Sequence, residues 1–196
     1  DILKIKVGIG EIQDDIARIK AIREKIGYKA SLRLDANQGW SAKEGVRAIR
    51  AMEDAGLDIQ LVEQPVPAHD LEGLKYVTDH TDTPIMADES VFSVYDANRV
   101  ISMRAADYIN IKLMKAGGIY NALKINNLAE VNDIKCMVGS MIETKLGITA
   151  AAHFAASQPN IRYFDFDAPL MLAKDLVEGG VVYHQNMMSF PPESGL

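Results

Sequence analysis

Short apolar segments that end in a charged residue recur along this chain at intervals of about 25 residues. Asp35 follows LRL, Glu63 follows IQLV, Asp88 follows IMA and Lys112 follows YINI. One strand, one helix and two short connections use about this much chain, so the spacing predicts βα units with parallel strands. The carboxyl ends of such strands open toward solvent at one edge of the sheet, where we expect these four charges.

The predicted elements alternate between strand and helix. Isoleucines recur every three or four residues over 11–27, and the capping box Ser41-x-x-Glu44 opens the next helix. After residue 170 the pattern loses its period and holds a Gly-Gly turn and one short strand. Further helices are predicted near 70–79, 93–103, 118–131 and 146–156, and the predicted strands cover 2–8, 31–36, 58–63, 84–87, 107–112, 135–140 and 162–167.

This succession favours an α/β fold of the (β/α)8 TIM-barrel type. Eight strands close such a barrel, and the sequence supplies seven. We therefore predict one barrel domain over 1–196 that lacks one strand, with an irregular segment over 170–196. The unpaired strand edges of such a barrel favour association into a homo-oligomer.

Composition excludes several classes of function. The chain has 196 residues, 48% of them hydrophobic, and a net charge of −6 with a pI near 5.2. Lysine and arginine are scattered, so no basic face for nucleic acid or anionic lipid is evident. No apolar run approaches the roughly 18 to 20 residues of a membrane span. Cys136 is the only cysteine, which excludes an internal disulfide and favours a cytoplasmic protein.

Three evenly spaced carboxylates at strand ends are a candidate metal site. Each of Asp35, Glu63 and Asp88 taken singly is as readily explained as a helix cap or a surface charge. Together, at one end of a parallel barrel, they supply the hard oxygen ligands that Mg²⁺ prefers. The sequence therefore predicts Mg²⁺ as the cofactor.

Lysines flank these carboxylates on both sides. A lysine can remove a proton α to a carboxylate only if the resulting enediolate is stabilised, which a metal ion does as a Lewis acid. Lys4 and Lys6 point to the same side of the first strand, and the nearby positive charge of Lys4 favours the neutral amine that Lys6 needs as a base. With Lys112 as a second base across the substrate, proton transfer from one face to the other would invert the α-carbon.

The same residues resemble a known family over nearly the whole chain. Their motifs are similar to those of the enolase superfamily, in its muconate-lactonizing subgroup. The resemblance implies that Lys6 and Lys112 are the acid/base pair, that Mg²⁺ binds the three carboxylates, and that Lys4 contacts substrate. It also places Asn37 and Glu89 directly around the metal ligands. The motifs are Lys4-Ile-Lys6, Asp35-Ala-Asn37, Glu63-Gln-Pro65, Asp88-Glu-Ser90, Lys112 and Lys115-Ala-Gly-Gly118.

The last predicted strand indicates the substrate. Its Asp165-x-Asp167 resembles the signature of the dipeptide epimerases, the L-Ala-D/L-Glu epimerase group. Carboxylates at alternating positions share one strand face, so both could hold the α-ammonium of a dipeptide. By the same resemblance Ser140 and Met141 line the substrate pocket. A purely structural interpretation stays open, in which the paired aspartates cap the next segment.

The resemblance implies Mg²⁺-dependent epimerisation of a small dipeptide, which makes the protein an isomerase. Two alternatives stay open. One is another reaction of the subgroup at the same site, either muconate cycloisomerisation or o-succinylbenzoate synthesis. The other is a truncated, non-catalytic barrel, because the family's N-terminal capping domain and first barrel strand have no counterpart in this sequence.

Overall fold

A computed structural model of the chain describes residues 1–175, 177–185 and 187–192. The chain divides into two compact units, which are described separately. The first comprises residues 1–91 and 95–109, and the second comprises residues 92–94 and the chain from residue 110 onward. No helix in the described ranges is both long and apolar enough to cross a membrane.

Strands and helices alternate along the chain. The strands are β1 Ile2–Lys6, β2 Ser31–Asp35, β3 Ile59–Glu63, β4 Ile85–Ala87, β5 Tyr108–Ile111, β6 Lys135–Val138, β7 Ile161–Phe164, β8 Val182–His184 and β9 Met187–Ser189. The helices are α1 Ile12–Ile26, α2 Ala42–Asp54, α3 Leu71–His80, α4 Val94–Met103, α5 Leu113–Ala116, α6 Ile119–Glu130 and α7 Lys145–Ala156, with a 3₁₀ helix at Ala168–Met171.

In the first unit, β1 to β5 pair in chain order and all pairs are parallel. The register places Lys6 opposite Asp35, and Asp35 opposite Glu63. β4 is apolar on both faces, with Ile85, Met86 and Ala87 completely buried, as expected for a strand of a parallel sheet covered by helices. The functional charges predicted for β1 to β3 therefore lie in adjacent positions at the carboxyl end of the sheet.

In the second unit, β6 and β7 form a parallel pair, and the Gly139 N–H donates to the carbonyl of Ile111 at the end of β5. A separate antiparallel hairpin joins β8 and β9. Apolar residues of α7 and the 3₁₀ helix pack with the hairpin region in one core cluster. Its buried members are Ile148, Ala152, Ala168 and Val181.

The predicted β/α architecture is confirmed. Seven parallel strands occur in the described part of the chain, and an α-helix follows each of the first six. The capping box is also present: the Ser41 side chain accepts from the Glu44 N–H while the Glu44 carboxylate accepts from the Ser41 N–H. The helix predicted near 118–131 is observed as α6, but the short helix α5 before it was not expected. The C-terminal prediction of one short strand was wrong, because β8 and β9 pair as a hairpin.

Two glycines allow the loop after β1 to approach the loop after β2 closely. Gly8 has φ +83°, in the left-handed region that favours glycine. Gly39 faces it so closely that a Cβ added at Gly39 would collide with the Gly8 carbonyl oxygen and lie 2.8 Å from its carbonyl carbon. Because the obstacle is backbone, no side-chain rotation relieves the clash.

We expect Gly39→Ala to destabilise the protein by about 1–3 kcal/mol or more, because the two loops must move apart to admit the methyl group. Thermal and urea unfolding measure this loss. Gly45→Ala is the matched control: its nearest neighbour is a side-chain methyl of Val77 at 3.3 Å, and alanine favours the helix α2. Equal stability of the Gly39 and Gly45 variants would contradict the close-approach interpretation.

Candidate active site

Three carboxylates lie at the carboxyl ends of adjacent strands in the first unit. Asp35 and Glu63 are the last residues of β2 and β3, and Asp88 directly follows β4. Their exposed fractions are 1%, 1% and 0%. Buried charges are costly unless they are paired or bind a metal ion. The strand ends thus concentrate negative charge that needs a positive partner.

Two lysines of β1 supply positive charge to these carboxylates. The Lys4 Nζ lies 3.1 Å from Asp35 Oδ2 and 2.9 Å from Glu63 Oε2, so it bridges the two strands. The Lys6 Nζ donates to the same Asp35 oxygen at 2.7 Å. The structure therefore brings the predicted lysine pair of the first strand together with two of the three predicted ligands.

The pKa of Glu63 reflects its burial and the charges around it, which are those of Asp35, Asp88 and Lys4. Burial raises the pKa of Glu63 from its ordinary 4.5 to about 7; Asp35 and Asp88 act in the same direction, and Lys4 opposes them. A cation bound there would favour the ionised form of Glu63.

Asn37 and Glu89 continue the cluster beyond Asp35. Lys6 Nζ donates to Asn37 Oδ1 at 2.6 Å, and Asn37 Nδ2 donates to Glu89 Oε1 at 3.0 Å. The Asn37 N–H also donates to Asp35 Oδ1 at 3.1 Å. Lys6, Asn37 and Glu89 are therefore joined in one hydrogen-bonded chain.

Gln64 has a structural role that sequence reasoning did not assign. It is completely buried, and its Oε1 accepts from the N–H groups of Asp88 and Ser90. Its Nε2 donates to Val66 O and to Ser90 Oγ. Gln64 thereby ties the end of β3 to the turn that carries Asp88. The available signal was its place directly after a candidate ligand at the end of a predicted strand.

The donor set fits Mg²⁺, which prefers carboxylate oxygens. Within residues 1–175, 177–185 and 187–192, no three His, Cys, Asp or Glu side chains stand close enough together to hold a metal ion. The Lys4 ammonium lies between the Asp35 and Glu63 carboxylates at hydrogen-bond distance from both. The chemistry of the three acidic side chains and the raised pKa of Glu63 are the features that suit a divalent cation.

Lys112 belongs to the second unit, where it directly follows β5 as the N-cap residue of α5. It is half-buried. Three residues later, Lys115 is buried, donates to the carbonyl of Asn110 at 3.1 Å and lies 5.6 Å from the centre of the Phe92 ring. Lys115 therefore makes a hydrogen bond to the backbone five residues before it. Lys112 has the strand-end position that the sequence predicted.

Ser140 and Met141 lie in the loop after β6. The Ser140 hydroxyl donates to the carbonyl of Asp165 at 3.3 Å, which links this loop to the end of β7. The Met141 side chain is exposed, and its N–H donates to Glu143 Oε1 at 3.0 Å. Both predicted pocket residues are thus held near the strand ends of the second unit.

The predicted strand containing Asp165 and Asp167 was too long. β7 ends at Phe164, so the two aspartates do not share a strand face. The Asp165 N–H still donates to Val138 O, but Asp167 has helical φ and ψ of −83° and −9° and precedes the 3₁₀ helix. Pro169 lies in the first turn of that helix, a position that suits proline. The Asp167 side chain makes no capping hydrogen bond, so the proposed capping role gains no support.

Comparison with known proteins gives the family. The family described as Enolase C-terminal domain-like matches residues 1–196. The L-Ala-D/L-Glu epimerase of Bacillus subtilis is 65% identical over 194 residues, which are 99% of this chain and 53% of that protein. Its substrate-liganded structure superposes with a TM-score of 0.95 over 97% of this chain and 53% of that chain.

A second solved structure is the dipeptide epimerase of Enterococcus faecalis complexed with Mg and the dipeptide L-Leu-L-Tyr. It is 56% identical, with a TM-score of 0.89, and the match covers 93% of this chain and 51% of that one. The chain thus spans about half the length of the curated relatives it matches. Because the match covers every residue of this chain, the chain belongs to the Enolase C-terminal domain-like family.

Proposed function

We propose that the protein containing this chain is a Mg²⁺-dependent dipeptide epimerase. The observation that carries the proposal is the buried cluster of the first unit, where Lys4 and Lys6 contact carboxylates at adjacent strand ends. High identity to relatives named as dipeptide epimerases supports the same reaction. The chemical step is removal of the proton α to the terminal carboxylate and its return on the other side.

Lys6 and Lys112 are the proposed acid/base pair. Each occupies a strand end, Lys6 as the last residue of β1 and Lys112 directly after β5. In the proposed mechanism one lysine removes the α-proton of one epimer and the other lysine serves the opposite epimer. The reaction balances because the proton taken by one lysine is replaced at the same carbon by the proton of the other.

Asp35, Glu63 and Asp88 are the proposed ligands of Mg²⁺. The bound ion supplies the Lewis-acid stabilisation of negative charge on the substrate carboxylate that makes the α-proton removable. Lys4 lies between two of the ligands and adds positive charge at the same place. Burial of the cluster strengthens these interactions because the local dielectric is low.

Asp165 and Asp167 are the proposed contacts to the α-ammonium of the dipeptide. They lie in the loop after β7, where Asp165 is half-buried and Asp167 is exposed. Two carboxylates close together in sequence offer a charge-assisted contact to a cation. Muconate cycloisomerisation and o-succinylbenzoate synthesis use substrates without an ammonium group, so these aspartates favour the dipeptide over either alternative.

We expect Asp165→Asn and Asp167→Asn to weaken the binding of dipeptides with a free amino group by about ten- to several-hundred-fold. N-acetylated dipeptides, which carry no ammonium, should be affected much less. Steady-state kinetics on both substrate forms with full-length protein and Mg²⁺ measure the difference.

Asp54→Asn, an exposed position at the end of α2, is the control for a general loss of one negative charge. If both variants process free and acetylated dipeptides with the wild-type preference, the dipeptide assignment is wrong. The protein would then retain the metal-dependent chemistry of its family with another substrate.

A further inference from the structure

We propose that Glu89 is a positioning residue for Lys6 and that it acts through Asn37. This inference rests on the proposed function, because it assigns a part in catalysis to a side chain that does not touch the reacting atoms. The three residues lie in the first unit, at the ends of β1, β2 and β4.

The orientation of the Asn37 amide follows from its two neighbours. An ammonium group can only donate hydrogen bonds, and an ionised carboxylate can only accept them. Asn37 presents its oxygen to Lys6 Nζ at 2.6 Å and its nitrogen to Glu89 Oε1 at 3.0 Å. Turning the amide over would face donor to donor and acceptor to acceptor. Glu89 therefore fixes which end of Asn37 faces the lysine.

The backbone of Asn37 is also held in an unusual conformation. Its φ is +41°, and that of the next residue, Gln38, is +70°, both in the left-handed region. Asparagine is one of the few residues other than glycine that adopt this region readily, but two consecutive cases carry strain. The Asn37 N–H donates to Asp35 Oδ1, which helps to hold the turn. This strained turn places the Asn37 side-chain amide between Lys6 and Glu89.

Lys6 needs such a support. Its side chain is 60% exposed, and its other side-chain acceptor is Asp35 Oδ2 at 2.7 Å. Asp35 is itself a proposed metal ligand, so Asn37 is the contact that Lys6 does not share with the metal site. The backbone of Lys6 is fixed separately, because Arg18 donates to its carbonyl oxygen at 2.7 Å. Loss of Glu89 should therefore disturb the lysine side chain and leave the strand in place.

A role in stability explains Glu89 poorly. Its second carboxylate oxygen, Oε2, is buried and has no hydrogen-bond partner among the described residues. An unsatisfied buried acceptor lowers the free energy of unfolding, so this oxygen of Glu89 does not stabilise the fold. An apolar side chain of similar length should be tolerated by the fold. This separates a positioning role, which predicts lost catalysis, from a structural role, which predicts lost stability.

The test compares Glu89→Met with Glu89→Gln in the full-length protein with Mg²⁺ and a free-amine dipeptide. In D₂O, deuterium incorporation at the α-carbon is followed for each epimer separately. Glu89→Met should lower kcat for exchange from the Lys6-dependent epimer about tenfold to a hundredfold, because misplacement of a catalytic group by about 1 Å has effects of this size. Exchange from the Lys112-dependent epimer should change less than about twofold, with KM unchanged. Glu89→Gln keeps an acceptor and should retain most of the rate.

Further variants show whether Glu89 acts through Asn37 or only through its charge. Asn37→Ala should reproduce the selective loss, and combining it with Glu89→Met should add little, because both changes break one chain. Glu24→Met, an exposed position on α1, controls for removal of a negative charge. The melting temperature of Glu89→Met should equal or exceed that of the wild type. Equal losses for both epimers, or additive losses in the double variant, would overturn the inference.

A crystal structure of Glu89→Met gives a readout that does not depend on activity. We expect Lys6 Nζ to leave Asn37 Oδ1, or the amide to turn over. An unchanged contact with an unchanged amide orientation would refute the positioning role. If the wild-type protein exchanges no dipeptide proton at all, the proposed function fails, and the crystal structure still decides whether Glu89 orients Asn37.

Discussion

Replacing either proposed base should separate the two directions of the reaction. In Lys6→Ala, epimerisation should fall by about a thousandfold or more, while α-proton exchange persists for one substrate epimer only. In Lys112→Ala, epimerisation should fall similarly, and exchange should persist for the other epimer. The reason is that each lysine alone can still remove and return a proton on its own side, but inversion requires both. Exchange in D₂O followed by proton NMR measures each epimer separately.

Two controls accompany this experiment. Lys20→Ala, an exposed position on α1, should leave both directions unchanged. Circular dichroism and Mg²⁺ titration show whether each active-site variant retains its fold and its metal affinity. Loss of exchange from both epimers in each variant, with fold and metal binding intact, would contradict the two-base mechanism.

Replacing a proposed ligand should weaken the coupling between Mg²⁺ and stability. Each of Asp35→Asn, Glu63→Gln and Asp88→Asn removes one carboxylate from a buried cluster. Loss of residues that merely support metal ligands typically costs 10–100-fold in affinity, so we expect loss of a ligand to cost about 100-fold or more. Titration calorimetry measures the affinity, and the rise in melting temperature with Mg²⁺ concentration measures the linkage. Wild-type affinity in all three variants would remove these residues as ligands.

The pH dependence of stability offers an independent test of the same cluster. The pKa of Glu63 is raised to about 7 in the folded, metal-free protein, above its ordinary value of 4.5. The folded state therefore binds more protons than the unfolded state between these values, so its free energy of unfolding falls as the pH rises from about 4.5 to about 7. The loss should amount to about 3 kcal/mol at most.

Glu63→Gln should remove this loss, because glutamine does not titrate. Mg²⁺ should stabilise the protein increasingly over the same pH window, since it binds the ionised carboxylate. Denaturant unfolding with and without Mg²⁺ at a series of pH values checks both statements. A metal-free stability that is constant across the window would contradict the raised pKa of Glu63.

The strand-end charges were accessible from sequence because a simple physical pattern marks them. An apolar, β-prone run followed by a charge identifies the end of a buried parallel strand, and this placed Asp35, Glu63, Asp88 and Lys112 at or directly after such ends. The capping box at Ser41 was also predictable from the sequence, because its two hydrogen bonds join residues three positions apart. Local signals of this kind need no knowledge of the rest of the fold.

Contacts between distant segments were not accessible in the same way. Lys4 lies opposite Arg33 in the strand register, yet its long side chain reaches Asp35 and Glu63. The four side-chain hydrogen bonds of Gln64 likewise depend on how far β3 and β4 are shifted along each other, which the spacing of strands in the sequence does not determine. A long polar side chain can reach several groups, and the fold determines which of them it contacts. The sequence therefore identified the residues of the site but not which of them pair.

The error at Asp165 and Asp167 has a related cause. The alternation of aromatic and acidic residues over 164–167 resembles a strand pattern, but the chain turns into a 3₁₀ helix that has Pro169 in its first turn. A proline shortly after an apparent strand is a signal for such a turn. The hairpin of β8 and β9 was underestimated because strands of three residues are too short for periodicity to register.

We propose that this chain carries the acid/base and metal-binding residues of a dipeptide epimerase. The most direct measurement incubates the full-length protein with Mg²⁺ and a dipeptide of free amino group in D₂O, and follows the α-proton of the C-terminal residue by NMR. We predict that this proton is replaced by deuterium while the opposite epimer accumulates, and that chelation of Mg²⁺ stops both. A folded, Mg²⁺-loaded protein that exchanges no α-proton in any member of a dipeptide library would contradict the claim.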